Sequence, residues 1–298
     1  MTDMVAYARV LPEAGETVVG DSFALGFGGK GANQAVMCAL LGASVSFVGC
    51  VGDDVFGEMT LENFASFGID ASRVARTPAA ATGAAPIWVD AAGENRIIVV
   101  PGANHLLEPA AVGAAVRELS PEVVLCQLEI PAPCVRAALQ TARERGAIAV
   151  LNPAPMTDVS LEILSLATWL IPNRTEFAAI ARRLELAEAP GHELAQRVAV
   201  GLGVDLVVTL GGDGVRLAGR DGAVTAVPAP AAHALDTTGA GDAFVGAFAY
   251  ALARGVARRE AAVLACACAS TSVESRGTQT SFPRGERLVE LKRELNVP

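Results

Sequence analysis

The run DTTGAGDAF, residues 236 to 244, places two glycines and two aspartates at the mouth of an apolar, helix-forming stretch. Glycine lets the backbone turn tightly there, so that several N–H groups converge on one point. Unpaired amides at a helix N-terminus, reinforced by the helix dipole, make an anion site. Asp242 falls in the first helical turn, beside that site. An N-cap is the other role for Asp or Thr at such a place, and the aspartate alone does not separate the two. The flanking glycines favour phosphoryl transfer to an alcohol, which needs a base at the attacking hydroxyl and fixed positive dipoles where the γ-phosphate charge moves. With the ordinary aspartate pKa of ~3.9, Asp242 is ionised at neutral pH and accepts the proton as the oxygen attacks.

Further carboxylates and glycine turns lie at the ends of apolar runs. In IPNRTEF, Asn173 and Glu176 open a predicted helix directly after a strand, where ligands of open α/β sheets bind. Glu176 could hold magnesium-bound waters near phosphates, or simply complement its helix dipole. The turn in TLGGDGV, Thr209 to Gly214, lets a flat ligand approach the backbone; a plain hairpin would look the same. Glu129 closes the run VVLCQLE in the same crevice position. The stretch GFGGKG satisfies G-x-G-x-x-G through Gly26, Gly28 and Gly31. It lacks the buried strand before it and the acidic residue about 20 positions later that a dinucleotide site needs. No G-x-x-x-x-G-K-[ST] occurs, which removes the P-loop reading.

Positioning these groups falls to an alternating pattern. From Glu108 onward, apolar runs at 123–128, 147–152, 168–173 and 205–210 alternate with predicted helices at 132–144, 174–184 and 192–201. Short β-branched runs separated by amphipathic helices imply a parallel sheet covered on both faces. Upstream, ANQAVMCALLGA and VSFVGCVGDD read as one more helix, starting at Ala32, and one more strand. Residues 3–26 and 82–100 instead read as short strands with polar turns, including a hairpin at 91–94, and predict a small antiparallel sheet. Past Asp242 the chain turns helical over 243–254, 259–271 and 285–295.

The formal net charge of −9 argues against a nucleic-acid or anionic-membrane partner, and favours a small metabolite. Hydrophobic residues make up 52% of the chain, yet alanine supplies much of that, and the run Ala243–Ala253 is well short of the ~20 residues a membrane span needs. With no basic-then-apolar leader at the N-terminus, a cytoplasmic location is expected. Six cysteines without a CxxC pair, all but Cys134 in apolar stretches, read as packing residues.

Taken together, PEAGETV, GGKGANQA, CQLEI, LNPAP, PNRTE, VVTLGGDG, ALDTTGAGDAF and SRGTQTS resemble, in order and spacing and over nearly the whole chain, the ribokinase-like carbohydrate kinase family. The resemblance implies one three-layer α/β domain over 1–298, with a mostly parallel central sheet flanked by helices. The β regions 3–26 and 82–100 would form a lid that closes over the sugar and pairs with a partner's lid in a homodimer. The implied reaction is ATP-dependent phosphorylation of D-ribose at O5. Fructokinases, adenosine kinase and ketodeoxygluconate kinases are alternatives within the family, and a non-catalytic sugar-binding member is an alternative outside catalysis.

Carried over by resemblance, Asp242 is the base, and Gly239, Ala240 and Gly241 form the anion hole. Met1, Thr2, Asp3, Gly29, Lys30, Gly31, Ala32, Asn33 and Glu129 surround the sugar, with Asn33 and Glu129 favouring ribose. Asn173, Thr209, Leu210, Gly211, Gly212, Asp213, Gly214, Gly241, Asp242 and Cys266 fall at the ATP site, although the cysteine offers little hydrogen bonding to a purine. Glu176 is linked to Mg2+, and Asp236, Thr238, Ser272, Ser275, Gly277 and Ser281 match the ligands of a monovalent cation, usually K+. The resemblance also implies a buried strand ending in G-S-x-x-x-D, of which only Met1, Thr2 and Asp3 match the last positions. The first core strand is therefore expected to be missing, with reduced stability as the result.

Overall fold

The computed structural model describes residues 1–92, 94–156, 159–186 and 191–294. Its elements in chain order are β1 (Thr2–Tyr7), β2 (Ser22–Phe27), α1 (Lys30–Leu40), β3 (Ser46–Gly52), α2 (Val55–Ser66), β4 (Asp70–Thr77), β5 (Ala84–Val89), β6 (Asn95–Ile97), α3 (Pro109–Leu119), β7 (Val123–Cys126) and α4 (Ala132–Glu144). They continue with β8 (Ile148–Leu151), α5 (Leu161–Leu164), β9 (Trp169–Leu170), α6 (Arg174–Arg183), α7 (Gly191–Leu202), β10 (Asp205–Thr209), β11 (Val215–Ala218), β12 (Val224–Val227), α8 (Ala240–Ala253), α9 (Arg258–Ser272) and α10 (Glu286–Glu294).

Six strands form the central sheet in the order β12-β11-β10-β9-β8-β7. The members β7 to β10 run parallel, while β11 and β12 continue the edge antiparallel. The parallel strands read as unbroken apolar runs because both faces are covered. One face packs against α1, α8, α9 and α10 through residues such as Val150, Ile171, Val207 and Phe248. The other packs against α3, α4, α6 and α7 through Leu139, Leu151, Leu170, Ile180 and Leu206. Every one of these side chains is fully buried. Crevice residues follow from this layering, since each β-to-α turn opens at the carboxyl ends of the parallel strands.

The strands β3 and β4 pair with each other in parallel as a separate two-stranded sheet. Between β3 and β7 lies a cavity of about 550 Å³, lined on one side by residues 45–51 and on the other by 123–127. Among the described strands no partner bridges this gap. The β3-β4 pair and the six-stranded sheet are thus separate among the described strands.

The four remaining strands form a sheet in the order β2-β1-β5-β6. The outer pairs are antiparallel, and the hairpin between β5 and β6 is closed by the Asp90 N–H donating to the Glu94 carbonyl at 3.0 Å. The central pair β1 and β5 is parallel, in register from Thr2 with Ala84 to Tyr7 with Val89. The sheet is therefore mixed. Gly93 of the expected turn and residue 295 of the expected last helix lie outside the described residues.

Two helix starts differ from the sequence reading. Helix α1 begins at Lys30, not Ala32, because Gly29 at φ 88° turns the chain straight from β2 into the helix with no side-chain cap. Helix α8 begins at Ala240, three residues early, behind Gly239 at φ 78°. Only glycine adopts these left-handed conformations without strain. At Gly239 a Cβ would also strike the Thr278 methyl.

Candidate active site

The turn ahead of α8 puts the first amides of a 14-residue helix at one point. At Gly241 a Cβ would meet nothing within 4 Å, so glycine there is not required by packing. Its bare backbone leaves room for a ligand to approach the amides. Asp242, the third residue of α8, is 7% exposed. Its Oδ2 accepts from Asn33 Nδ2 at 2.9 Å and its Oδ1 from Gln34 Nε2 at 2.8 Å. Burial pushes its carboxyl above the ordinary range, while Lys30 and the two amides pull it back. The sequence reading gave it an ordinary pKa; the structure makes it a stronger base, closer to the working pH of a proton acceptor.

The N-terminus of α1 supplies the facing wall. The Lys30 N–H donates to Glu129 Oε2 at 2.7 Å, tying the loop after β7 to the first turn of α1. Burial raises the Glu129 carboxyl, with Lys30 opposing. Asp3 sits in β1 against Gly28, at a place a Cβ on Gly28 would occupy. Desolvation pushes its pKa up to about 6, the N-terminal amine lowers it, and Asp242 adds to the rise. Thr2 is buried, its N–H donating to the Gly83 carbonyl at 2.9 Å. The Met1 carbonyl accepts from Gly28 N–H at 3.0 Å, and a Cβ on Gly29 would lie 3.1 Å from Met1 Cβ. The positions Met1, Asp3, Gly29, Lys30, Gly31, Ala32, Asn33 and Glu129 are thus brought together beside Asp242. Asn33 is largely committed already, because its Oδ1 accepts from Gln279 Nε2 at 3.0 Å. One amide hydrogen is left for a sugar.

On the far side of the sheet's carboxyl edge, Asn173 caps α6 and forms a full capping box with Glu176: each side chain accepts the other's backbone N–H, at 2.9 and 2.8 Å. Glu176 is buried, which raises its pKa, and Lys30 lowers it. Asn173 bridges in parallel to Thr209, so the two neighbouring crevice turns are joined. The stretch after Thr209 is the hairpin turn into β11, closed by Leu210 N–H on the Gly214 carbonyl at 2.8 Å. Gly211 and Gly212 are exposed, and Asp213 pairs with Arg174 at 2.9 Å. Gly214, at φ 84°, has no room for a Cβ beside the Val227 carbonyl. Cys266 is 4% exposed within the apolar core of α9, where burial pushes its thiol up to about 12. It packs, as do the other five free thiols, none of them exposed; Cys134 too is buried.

Asp236 pins a second loop to the first. Its Oδ1 accepts from Thr238 N–H and its Oδ2 from Gly277 N–H, both at 2.9 Å. Although burial alone would raise its pKa, those bonds and Arg276 hold it below the usual range. The Ser272 and Ser281 hydroxyls each donate to a nearby backbone carbonyl, and Ser275 is exposed. Of the matched cation positions, Thr238 and Gly277 therefore meet at the Asp236 carboxylate. Among the described residues there is no cluster of three His, Cys, Asp or Glu side chains for a tightly held divalent metal.

Sequence reasoning missed the amides behind Asp242. Gln34, Gln127, Asn152, Gln279 and Asn63 join Asn33 in a continuous lattice around Asp242. One signal was available, since GGKGANQA, CQLEI and LNPAP each carry such an amide amid largely apolar or glycine residues, and SRGTQTS carries another.

The model of the pfkB family carbohydrate kinases matches residues 1–284. This chain is a member of that family. A ribokinase of Schizosaccharomyces pombe is 36% identical over 95% of this chain and 92% of its own length. A deoxyribokinase of Salmonella typhi is 35% identical, over 97% and 95%. Among solved structures, that of Arabidopsis thaliana ribokinase complexed with ribose and ATP superposes with a TM-score of 0.86 at 30% identity, covering 97% of this chain and 95% of that one. No helix among the described residues is long and apolar enough to cross a membrane.

Proposed function

We propose that this pfkB-family kinase transfers the γ-phosphoryl group of ATP to O5 of D-ribose, giving ribose 5-phosphate and ADP. The observation that carries the reading is Asp242: a buried carboxylate in the first turn of α8, directly behind a glycine turn and facing the Asp3, α1 and Glu129 wall. The similarity to proteins named ribokinase supports the choice of sugar. Asp242 accepts the O5 proton as that oxygen attacks phosphorus, and the P–O bond to ADP breaks. The amides of Gly239 to Gly241 stabilise the charge on the migrating group. Asp3 and Glu129 accept hydrogen bonds from sugar hydroxyls, and the turns at Asn173 and 209–214 receive the nucleotide. Asp236 with the residues around 272–281 would hold K+, and Glu176 would stand beside Mg2+, which supplies neutralising charge when bound with ATP.

The β2-β1-β5-β6 sheet, with residues 82–100, then acts as a lid that excludes water as a competing acceptor. Phe23 and Ile97 are 63% and 51% exposed on it, which favours pairing with a second copy. Phe23→Glu should shift sedimentation toward monomer; an unchanged dimer would remove this role. The 35% identity to a deoxyribokinase gives 2-deoxyribose a second standing. A coupled ADP-release assay over ribose, 2-deoxyribose, fructose and adenosine decides: ribose should show the highest kcat/KM, and another substrate turning over as fast would overturn the assignment.

A further inference from the structure

The carboxylate of Asp242 is gripped from both sides by side-chain amides, and Gln34 on one side reaches nothing outside the protein. Gln34 is 0% exposed, so its part cannot be sugar or nucleotide contact. Its Nε2 donates to Asp242 Oδ1 at 2.8 Å and to Asn152 Oδ1 at 3.1 Å, and its Oε1 accepts from Gln127 Nε2 at 2.5 Å. Asn152 is itself fixed: its Nδ2 donates to the Ile171 carbonyl at 2.8 Å and its backbone N–H to the Cys126 carbonyl at 2.9 Å. Those two carbonyls follow β9 and end β7, so the central sheet sets the direction in which Asn152 presents its oxygen.

A flipped Gln34 amide would aim its oxygen at both the Asp242 carboxylate and the Asn152 carbonyl oxygen, and its N–H groups at the Gln127 donor. Two buried contacts and one part-buried contact would be lost at once, at a cost well above that of one ordinary hydrogen bond. Only one orientation is therefore allowed. Each Asp242 oxygen then receives one amide and keeps a lone pair for an incoming proton.

We propose that Gln34 is a positioning residue for phosphoryl transfer: locked in one amide orientation by Asn152 and Gln127, it transmits the geometry of the central sheet to the Asp242 carboxylate. This rests on Asp242 being the base, as proposed above. Lys30 lies close enough to stabilise the Asp242 charge, while Asp3, Glu129 and Glu176 feel that charge from β1, the loop after β7 and α6. Gln34 supplies one of the two direct donors that oppose burial there, with Asn33 the other.

The test compares Gln34→Met, close in shape but without the amide, with Asn152→Ala, which never touches Asp242. Ribose Kd is measured by calorimetry, kcat across pH, and folding by thermal melting. Gln34→Met should lower kcat about tenfold or more, leave Kd within twofold, and move the acid limb of kcat upward, because the charged carboxylate loses a donor. Asn152→Ala should move both readouts in the same direction by less. The double variant should be no worse than Gln34→Met alone, since both act through one contact. A folded Gln34→Met with parental kcat and acid limb overturns the proposal, and so does full additivity of the two changes. Should Gln34→Met fail to fold, the kcat and acid limb of Asn152→Ala decide alone, and parental values would refute the relay. An inactive parent protein would instead count against the kinase reading itself.

Discussion

The two parts of the molecule that flank the 550 Å³ cavity are built from the same β-branched runs, yet they bury them differently. On the β7 side, Val150, Leu151, Leu170 and Val207 are wholly sealed between helices. On the β3 side, Phe47 and Val48 stay partly exposed and border the gap. The difference teaches that apolar sequence alone does not make core; a strand also needs neighbours along both edges. The site draws on two sheets. Asp242 on α8 is held by amides from α1 and from the turns after β7 and β8 of the continuous sheet, whereas Asp3 stands on β1 of the separate β2-β1-β5-β6 sheet.

Matched truncations break the comparison most sharply. Val150→Ala should cost about 2–3 kcal/mol of unfolding free energy, and Val48→Ala under about 1, because the second cavity wall already lacks part of its contacts. Equal losses in denaturant titrations would show that the gap is closed in solution.

Adding an apolar, β-branched segment ahead of Met1, long enough to lie between β3 and β7, should raise Tm by more than about 5 °C by satisfying two strand edges and filling the void. The same addition should bring the Val48→Ala cost up toward that of Val150→Ala. An unchanged Tm would mean that the gap does not accept a strand.

Much of the continuous part was legible in the sequence. The helix predicted over 132–144 is α4, residue for residue, because its apolar spacing and the Pro at its first turn are local signals. The glycine turn before α8 and the Asn173 and Glu176 pair were legible for the same reason. What failed was long-range. The parallel pairing of β1 with β5 joins residues some 80 positions apart, and strand alternation says nothing about direction. The lattice around Asp242 joins residues separated by 209 and 246 positions, so each amide was visible in its motif and its meeting with the others was not. Cys266 was placed by likeness alone, and the core had already absorbed it.

A smaller pH effect is expected from Asp3 on the β2-β1-β5-β6 sheet. With its pKa at about 6, Asp3 is protonated below that pH and loses acceptor capacity for a sugar hydroxyl. The kcat/KM for ribose should therefore fall as pH drops through about 6, and Asp3→Asn should flatten that limb at a lower plateau. For folding the sign is opposite: a carboxyl raised by burial favours the native state below its unfolded pKa, and that contribution is lost as pH rises through about 6. The Tm advantage of Asp3→Asn should accordingly grow between pH 4 and 6. A limb that persists in the variant would assign it to Glu129 or another carboxyl of the coupled group.

The central claim is that Asp242 takes the acceptor proton. Asp242→Asn should bind ribose with a Kd within a few-fold of the parent by calorimetry, while its kcat in the ADP-release assay falls by ~10² or more. A variant that turns over ribose at the parental rate would contradict it.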